Sequence, residues 1–171
     1  MQPVKNTLAP NLSLYYHKHK STFVKDSVNP ITILMADDDP DDRMLIKKAL
    51  DQNQSKHSIY FVEDGADLMD YLHKRGRYLM EMVIKPALIL LDLNMPKMDG
   101  REALKLIKSD PELKRIPVVV LTTSKAEEDI FHTYDLGVNS FICKPVGFQE
   151  LVEVAREIES YWFGTVVLPT R

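Results

Sequence analysis

Aspartates dominate one short stretch of this sequence, because five of the six residues from 37 to 42 carry carboxylates. Part of this cluster has a structural explanation. An aspartate before Pro40 fits a helix N-cap, and the helix dipole favours acids in the first turn. That explanation covers Asp39, Asp41 and Asp42. Asp37 and Asp38 directly follow an apolar run, and we assign these two residues to a functional site and not to the start of the helix.

Three more polar side chains directly follow apolar runs further along the chain: Asp92, Thr122 and Lys144. Three carboxylates held close together repel one another and raise each other's pKa, and a hard divalent cation such as Mg²⁺ relieves that repulsion. A hydroxyl and an ammonium suit phosphoryl oxygens. A nucleophilic carboxylate, a cation and a lysine together favour phosphoryl transfer to an aspartate.

Five apolar runs of strand length alternate with stretches that have helical spacing. The runs are Ile31–Ala36, Ser58–Val62, Ala87–Leu91, Val118–Leu121 and Phe141–Cys143. Because polar residues rarely interrupt them, both faces of most strands are expected to be covered, as in a parallel sheet between helices. The strict βα order predicts a doubly wound α/β domain with five strands and five helices. In such a sheet ligands bind beyond the carboxyl ends of the strands, where the candidate residues fall.

Local signals predict where several elements begin and end. Asp99 with Glu102 three residues later resembles a capping box, and Gly137 and Gly164 fit the ends of helices. The connection Gly76–Lys85 is longer than the others and carries several apolar residues. We expect it to be a loop packed by its own apolar side chains.

Composition excludes several classes of protein. The net charge of −3 argues against nucleic-acid binding, and no apolar run approaches the roughly 18 residues of a membrane span. A single cysteine, Cys143, excludes an intrachain disulfide and fits a reducing compartment. Because no secretory signal is visible, we expect a cytoplasmic protein. Residues 1–30, where four lysines against one aspartate give +3, are predicted to form an N-terminal extension, and residues 164–171 a C-terminal tail.

The sequence resembles the response-regulator receiver domains of two-component signalling over residues 31–163. Four segments carry the resemblance, and each includes a predicted strand end: Ile33-Leu34-Met35-Ala36-Asp37-Asp38, Leu90-Leu91-Asp92-Leu93-Asn94-Met95-Pro96 with Asp99-Gly100, Val120-Leu121-Thr122-Thr123-Ser124, and Phe141-Ile142-Cys143-Lys144-Pro145. The resemblance implies a flavodoxin-like fold, a single domain whose five-stranded parallel sheet has the strand order 2-1-3-4-5.

The resemblance implies that Asp92 is the phosphoacceptor, which attacks the phosphorus of a phosphohistidine on a sensor histidine kinase. Mg²⁺ is expected to be held by Asp37, Asp38, Asp92 and the backbone carbonyl of Asn94. Asn94 and Thr123, the latter at a position that is more often small in the family, are expected to affect access to the phosphoryl group and its lifetime. The protein is then a signalling switch that catalyses only its own phosphorylation and dephosphorylation, and not a conventional enzyme.

The resemblance also names the residues that respond to the phosphoryl group. Thr122 and Lys144 are expected to bind it once it is on Asp92. Phe141 occupies the position of the family's switch aromatic, which turns inward when the threonine moves toward the phosphate. The bond between Lys144 and Pro145 is expected to be cis, a form that X–Pro bonds adopt at modest cost.

A closer resemblance is to the stand-alone regulators that serve bacterial and cyanobacterial phytochromes. It rests on the long connection Gly76–Lys85, the run Arg115–Ser124 and the ending Tyr161–Pro169. It implies a phytochrome-type kinase as partner and a homodimer formed through the last helix and the C-terminal tail. Eight residues follow residue 163, so we expect no DNA-binding output domain.

Two other classes of protein have similar site residues or the same fold. A phosphatase with an aspartate nucleophile also combines Mg²⁺ with a lysine, but it usually needs a second carboxylate two residues on, where this sequence has Asn94. A flavin mononucleotide carrier on the same fold would place its phosphate at the start of the first helix, where the aspartates repel it.

Overall fold

A sheet of five parallel strands forms the centre of the protein, and a computed structural model describes residues 30–169 of the chain. The strands are β1 (Thr32–Ala36), β2 (Ser58–Val62), β3 (Leu88–Leu91), β4 (Val118–Thr122) and β5 (Ser140–Cys143). Their order across the sheet is β2-β1-β3-β4-β5, and every neighbouring pair is parallel. The three inner strands are buried throughout, whereas the edge strands β2 and β5 are partly exposed. The predicted doubly wound architecture and strand order are confirmed.

Helices cover both faces of the sheet: α1 (Pro40–Gln52), α2 (Gly65–His73), α3 (Gly100–Ser109), α4 (Glu127–Asp135) and α5 (Phe148–Glu159). Alternate residues of each strand point to opposite faces, so the sheet supplies two separate hydrophobic cores. Leu34 packs with residues of α2 and α3, while Ile33 and Met35 pack with residues of α1 and α5.

Capping interactions explain where several helices begin and end. The Asp39 carboxylate accepts a hydrogen bond from the Asp41 amide at 2.8 Å, with Pro40 as the first helical residue. Asp99 and Glu102 form the predicted capping box at the start of α3. Gly137 follows the end of α4 with φ +91°, a left-handed conformation that favours glycine. These local predictions are confirmed.

The connection between α2 and β3 differs from the prediction. It contains a 3₁₀ turn, Gly76–Tyr78, in which Tyr78 is buried. The apolar side chains of Leu79, Met80 and Met82 are largely exposed, however, so the loop does not pack on itself as expected. Its two ends are anchored instead, by buried Tyr78 on one side and by the bond from the Tyr71 hydroxyl to the Ile84 carbonyl on the other. Between these anchors, Val83 packs against the core on the side of α2 and α3, whereas Leu79, Met80 and Met82 are left facing solvent.

The last helix also ends differently from the prediction at Gly164. The α-helix stops at Glu159, and the chain continues as a π-helical turn over Ser160–Thr165. The Val166 amide donates to the Tyr161 carbonyl at 3.1 Å, which closes the wider turn. Gly164 lies inside this turn and does not end the helix.

The described residues bear on two further expectations. Within residues 30–169, no helix is long and apolar enough to cross a membrane. The predicted N-terminal extension, apart from its last residue Pro30, lies outside the residues that the structure describes, as do the last two residues of the predicted tail.

Candidate functional site

The predicted site residues meet at the carboxyl edge of the sheet because the hydrogen-bond ladder continues just past the strands. The Asp37 amide donates to the Val62 carbonyl at 3.1 Å, and the Asp92 amide donates to the Ala36 carbonyl at 2.9 Å. These bonds hold both aspartates in register with neighbouring strands. Asp37 is fully buried and Asp92 is 6% exposed, so both side chains lie in a crevice that is sheltered from solvent.

The ammonium of Lys144 occupies the middle of this crevice. Its Nζ lies 2.6 Å from Oδ2 of Asp37, 2.6 Å from Oδ2 of Asp42 and 3.1 Å from Oδ2 of Asp92. The Lys144 amide donates to the Thr122 carbonyl at 2.7 Å, which fixes where the side chain starts. The structure therefore brings together residues that lie 52 and 107 positions apart in sequence.

Asp42 is a site residue that the sequence analysis assigned only to the start of a helix. It has a second contact, because its carboxylate pairs with Lys144 and is half-buried there. The usable signal was its place in the first turn of α1, only four residues after the predicted site residue Asp38.

Arg43 is a second residue that the sequence analysis missed. Its Nη1 donates to the backbone carbonyl of Asp37 at 2.6 Å, and its Nη2 lies 3.7 Å from Glu63. The side chain is 17% exposed. Arg43 thus holds the turn between β1 and α1, which carries Asp37 and Asp38. No local pattern indicates such a contact, because it depends on where α1 sits over the strand.

Burial and charge act in opposite directions on the ionisable groups. Burial raises the pKa of Asp37 to about 6, although the hydrogen bond from Lys144 opposes this rise. Burial lowers the pKa of Lys144, but hydrogen bonds to Asp37 and Asp42 outweigh this effect and hold the pKa above its ordinary value. The lysine is therefore positively charged throughout the physiological range, and it neutralises only part of the surrounding negative charge.

Three carboxylates in the site fit a metal ion. Asp37, Asp38 and Asp92 each offer one oxygen, and these oxygens lie within 4.8 Å of one another. Asp38 is exposed, whereas the other two are buried. An all-oxygen donor set with one open side matches a hard divalent cation that keeps water ligands. The Asn94 amide donates to Oδ1 of Asp92 at 3.3 Å, so this loop also orients the carboxylate.

The remaining predicted residues surround this centre. Thr122 is fully buried at the end of β4, and Thr123 is exposed next to it. Thr123 and Lys144 line a small groove of about 110 Å³ between α1 and the segment after β5. Phe141 is half-buried and packs against the core on the side of α2 and α3.

The expected cis bond between Lys144 and Pro145 is wrong. No cis peptide bond occurs among residues 30–169. Even before proline the trans form is favoured by about 0.5–1 kcal/mol. With the trans bond, the Lys144 amide already donates to Thr122 and its ammonium already reaches three carboxylates. These contacts of Lys144 are therefore all made with the bond in its more stable trans form.

Comparison with known proteins agrees with this geometry. The sequence pattern of the response regulator receiver domain matches residues 33–156. Response regulator Rcp1 of Synechocystis sp. is 43% identical over 144 residues, which make up 84% of this chain and 97% of Rcp1. The structure of the phosphorylated cyanobacterial phytochrome response regulator RcpA has 46% identity and a TM-score of 0.77, covering 83% of this chain and 100% of that one.

A second solved structure bears on the metal. The Mn²⁺-bound form of Rcp1 has 43% identity and a TM-score of 0.76, and it covers 82% of this chain and 100% of that one. The region that matches the family, residues 33–156, includes all five strands except Thr32, the first residue of β1, and the carboxyl-edge residues that follow them. This chain therefore belongs to the response regulator receiver domain family, the phosphorylation-controlled switches of two-component signalling.

Proposed function

We propose that this protein accepts a phosphoryl group on Asp92 from the phosphohistidine of a phytochrome-type sensor kinase. The observation that carries the proposal is the contact of Lys144 with Asp92 and Asp37 inside a carboxylate cluster suited to a divalent cation. In the transfer, an Asp92 carboxylate oxygen forms a bond to phosphorus. The bond from phosphorus to the imidazole nitrogen breaks, and its electron pair stays on the imidazole, which takes up a proton.

Mg²⁺ is the cation that we propose for this site, held by Asp37, Asp38, Asp92 and the backbone carbonyl of Asn94. When bound, it would neutralise charge on the carboxylates and on the phosphoryl oxygens. Lys144 supplies a second, fixed positive charge beside Asp92, because it is buried among the carboxylates. Such preorganised charge stabilises the developing negative charge of the transfer.

Five residues have proposed roles around the phosphoryl group. Thr122 and Lys144 bind its oxygens, and Phe141 follows the movement of the threonine. Thr123 and Asn94 are both exposed beside the site, which supports a role in limiting the access of water and partners to it. The acyl phosphate on Asp92 would then persist for a time set by these two side chains.

The kinase partner is inferred from the similar proteins. RcpA is a cyanobacterial phytochrome response regulator, and a further similar structure is a response regulator in red light signaling of R. palustris, with 32% identity and a TM-score of 0.77. We extend this role to the present chain. The phosphatase alternative has no support from the relatives.

We also propose a homodimer that forms through α5 and the C-terminal tail. Tyr161 and Val167 in this region are 52% and 95% exposed. Trp162 and Phe163, between them, pack against the core that α1 and α5 share. The region is thus anchored to the domain and presents apolar side chains outward, which favours contact with a second copy.

Phosphorylation of the purified protein by acetyl phosphate in Mg²⁺ tests the central proposal. We expect one base-labile phosphoryl group per chain, and none on the Asp92→Asn variant. Asp41→Asn is the matched control, because Asp41 is an exposed aspartate of the same acidic stretch that does not contact Lys144. Equal labelling of wild type and Asp92→Asn would contradict the assignment.

Phosphorylation by a panel of purified histidine kinases then tests the proposed partner. We expect a phytochrome-type kinase to act fastest, and a faster kinase of another type would contradict the proposed partner.

A further inference from the structure

A network of charged and polar side chains lies beside the site and has no role in the chemistry described above. Arg101, at the start of α3, pairs with Asp129, in the first turn of α4. The Arg101 Nε donates to Oδ1 of Asp129 at 2.8 Å, and its Nη2 lies 2.6 Å from Oδ2. This is the two-pronged geometry that makes arginine–carboxylate pairs strong and directional. Both side chains are three-quarters or more buried.

Ser124 joins the same carboxylate from the loop that links β4 to α4. Its hydroxyl donates to Oδ2 of Asp129 at 2.5 Å. The pKa of Asp129 is held below its ordinary value by its hydrogen bonds to Arg101 and then to Ser124. Asp129 is therefore an ionised acceptor for two elements at once. We call Arg101, Asp129 and Ser124 the arginine clamp.

The arginine clamp is connected to both loops that carry the phosphoryl chemistry. On one side, Nη1 of Arg101 lies 3.5 Å from the carbonyl of Leu93, the residue after Asp92. On the other side, the Ser124 amide donates to Oγ1 of Thr122 at 3.3 Å. Among the described residues, the Thr122 hydroxyl is bonded to the loop after β4 and makes no hydrogen bond to Asp92.

We propose that Arg101, Asp129 and Ser124 are positioning residues that hold the loop after β4 in its phosphoryl-free arrangement, so that the clamp opposes the binding of a phosphoryl group by Thr122. The inference rests on the proposed function of Asp92 and Thr122. A contact made in one of two arrangements shifts the equilibrium towards that arrangement. Breaking the clamp then favours the arrangement in which Thr122 reaches the phosphoryl group.

The affinity of the full-length protein for beryllofluoride, a tetrahedral mimic of a phosphoryl group, tests the inference when it is measured by ¹⁹F NMR in Mg²⁺. We expect Asp129→Asn and Arg101→Gln each to tighten binding about fivefold, a modest coupling between sites. The double variant is expected to bind no tighter than either single variant, because the two residues form one contact. Arg101→Lys, which keeps the charge and loses the fork, is expected to lie between wild type and Arg101→Gln.

Arg77→Gln is the matched control. Arg77 also pairs with an aspartate, with Nη2 2.5 Å from Oδ2 of Asp67, but it lies beside α2 and away from the clamp. Thermal unfolding of each variant without beryllofluoride establishes that it is folded. Unchanged or weaker binding by folded clamp variants overturns the inference, and so does equal tightening by Arg77→Gln. If the wild type itself does not bind beryllofluoride, the proposed function fails first, and the result is distinct from a failure of the clamp.

Discussion

At the scale of single residues, the site contains more negative charge than its own lysine can balance. Asp37, Asp42 and Asp92 contact Lys144, and Asp38 lies within metal-binding distance of two of them. Lys144 cannot be exchanged for a neutral residue without leaving buried carboxylates unpaired, which is strongly destabilising. The remaining charge explains why a cation is expected to stabilise the folded state.

Asp38→Asn tests this charge balance. We expect Mg²⁺ to raise the melting temperature of the wild type, since a ligand at one hundred times its dissociation constant stabilises by about 2.7 kcal/mol. Asp38→Asn is expected to lose most of this effect, with little change in the absence of Mg²⁺, because Asp38 is exposed. Differential scanning fluorimetry with and without Mg²⁺ measures both values. Asp41→Asn is the control, and an equal Mg²⁺ response of all three proteins would contradict the assigned ligand.

Gly100 shows how the absence of a side chain makes room for the backbone of Asp92, the proposed phosphoacceptor. A Cβ at this position would lie 2.0 Å from the backbone carbonyl of Asp92. Because the obstacle is backbone, Gly100→Ala is expected to destabilise the fold by about 1–3 kcal/mol and to reduce phosphorylation of Asp92. Urea unfolding measures the stability. Gly164→Ala, whose Cβ would meet nothing within 4 Å, is expected to be neutral or slightly stabilising, and equal effects at both positions would refute the packing argument.

At the scale of elements, the two ends of each strand have different roles. The charged site residues lie at the carboxyl ends of the strands, whereas the contacts at the amino ends only stabilise the fold. His57, just before β2, is one of these. Its Nδ1 accepts a hydrogen bond from the Ile31 amide at 3.2 Å, and its ring centroid lies 4.3 Å from that of Phe163 in the π-helical turn. One imidazole therefore connects the residue before β1 with the π-helical turn after α5.

This contact makes stability depend on pH. Burial lowers the pKa of His57 below its ordinary 6.5, although the charge of Glu159 opposes the shift. Between the lowered pKa and 6.5 the unfolded chain binds the proton more readily, so the stabilising contribution is complete above pH 6.5 and is lost as the pH falls through the folded pKa.

His57→Gln is expected to flatten this part of the pH profile. Urea unfolding at intervals between pH 7.5 and 5 measures the slope for the wild type and the variant. His132→Gln replaces an exposed histidine on α4 and serves as the control. If the slope persists in His57→Gln and disappears in His132→Gln, the pH dependence of stability comes from His132 and the prediction is wrong.

At the scale of the whole molecule, one sheet separates two cores, and the segment after α5 packs against one of them. The end of the described chain is attached through Trp162 and Phe163 to the core that α1 and α5 share. Val167 lies beyond that attachment and is almost fully exposed. Both faces of the sheet are therefore covered by helices, whereas Val167 remains exposed on the surface that we propose for self-association.

Truncation after Phe163 tests the proposed dimer. We expect the mass from multi-angle light scattering to fall from that of a dimer to that of a monomer, because the apolar tail is gone. Val167→Asp is expected to act in the same direction through a single charge. The control is Met82→Asp, which adds the same charge at an equally exposed apolar side chain in the loop after α2. An unchanged mass after truncation would exclude the tail from the interface.

The sequence by itself determined the order of elements and the convergence of Asp37, Asp92, Thr122 and Lys144, whereas the strand order was implied by the resemblance to receiver domains. The reason is physical: unbroken apolar runs require a covered parallel sheet, and such a sheet brings the carboxyl ends of its strands to one edge. Caps such as the pair Asp99 and Glu102 were equally predictable, since they depend on residues close in sequence.

Only the tertiary structure decided how side chains from different elements meet. The contact of Asp42 with Lys144 and that of Arg101 with Asp129 depend on how helices are placed over the sheet. The exposure of Met80 and Met82 depends on where the core ends. Spacing along a chain specifies local geometry, whereas distances between elements follow from packing, which involves the whole domain at once.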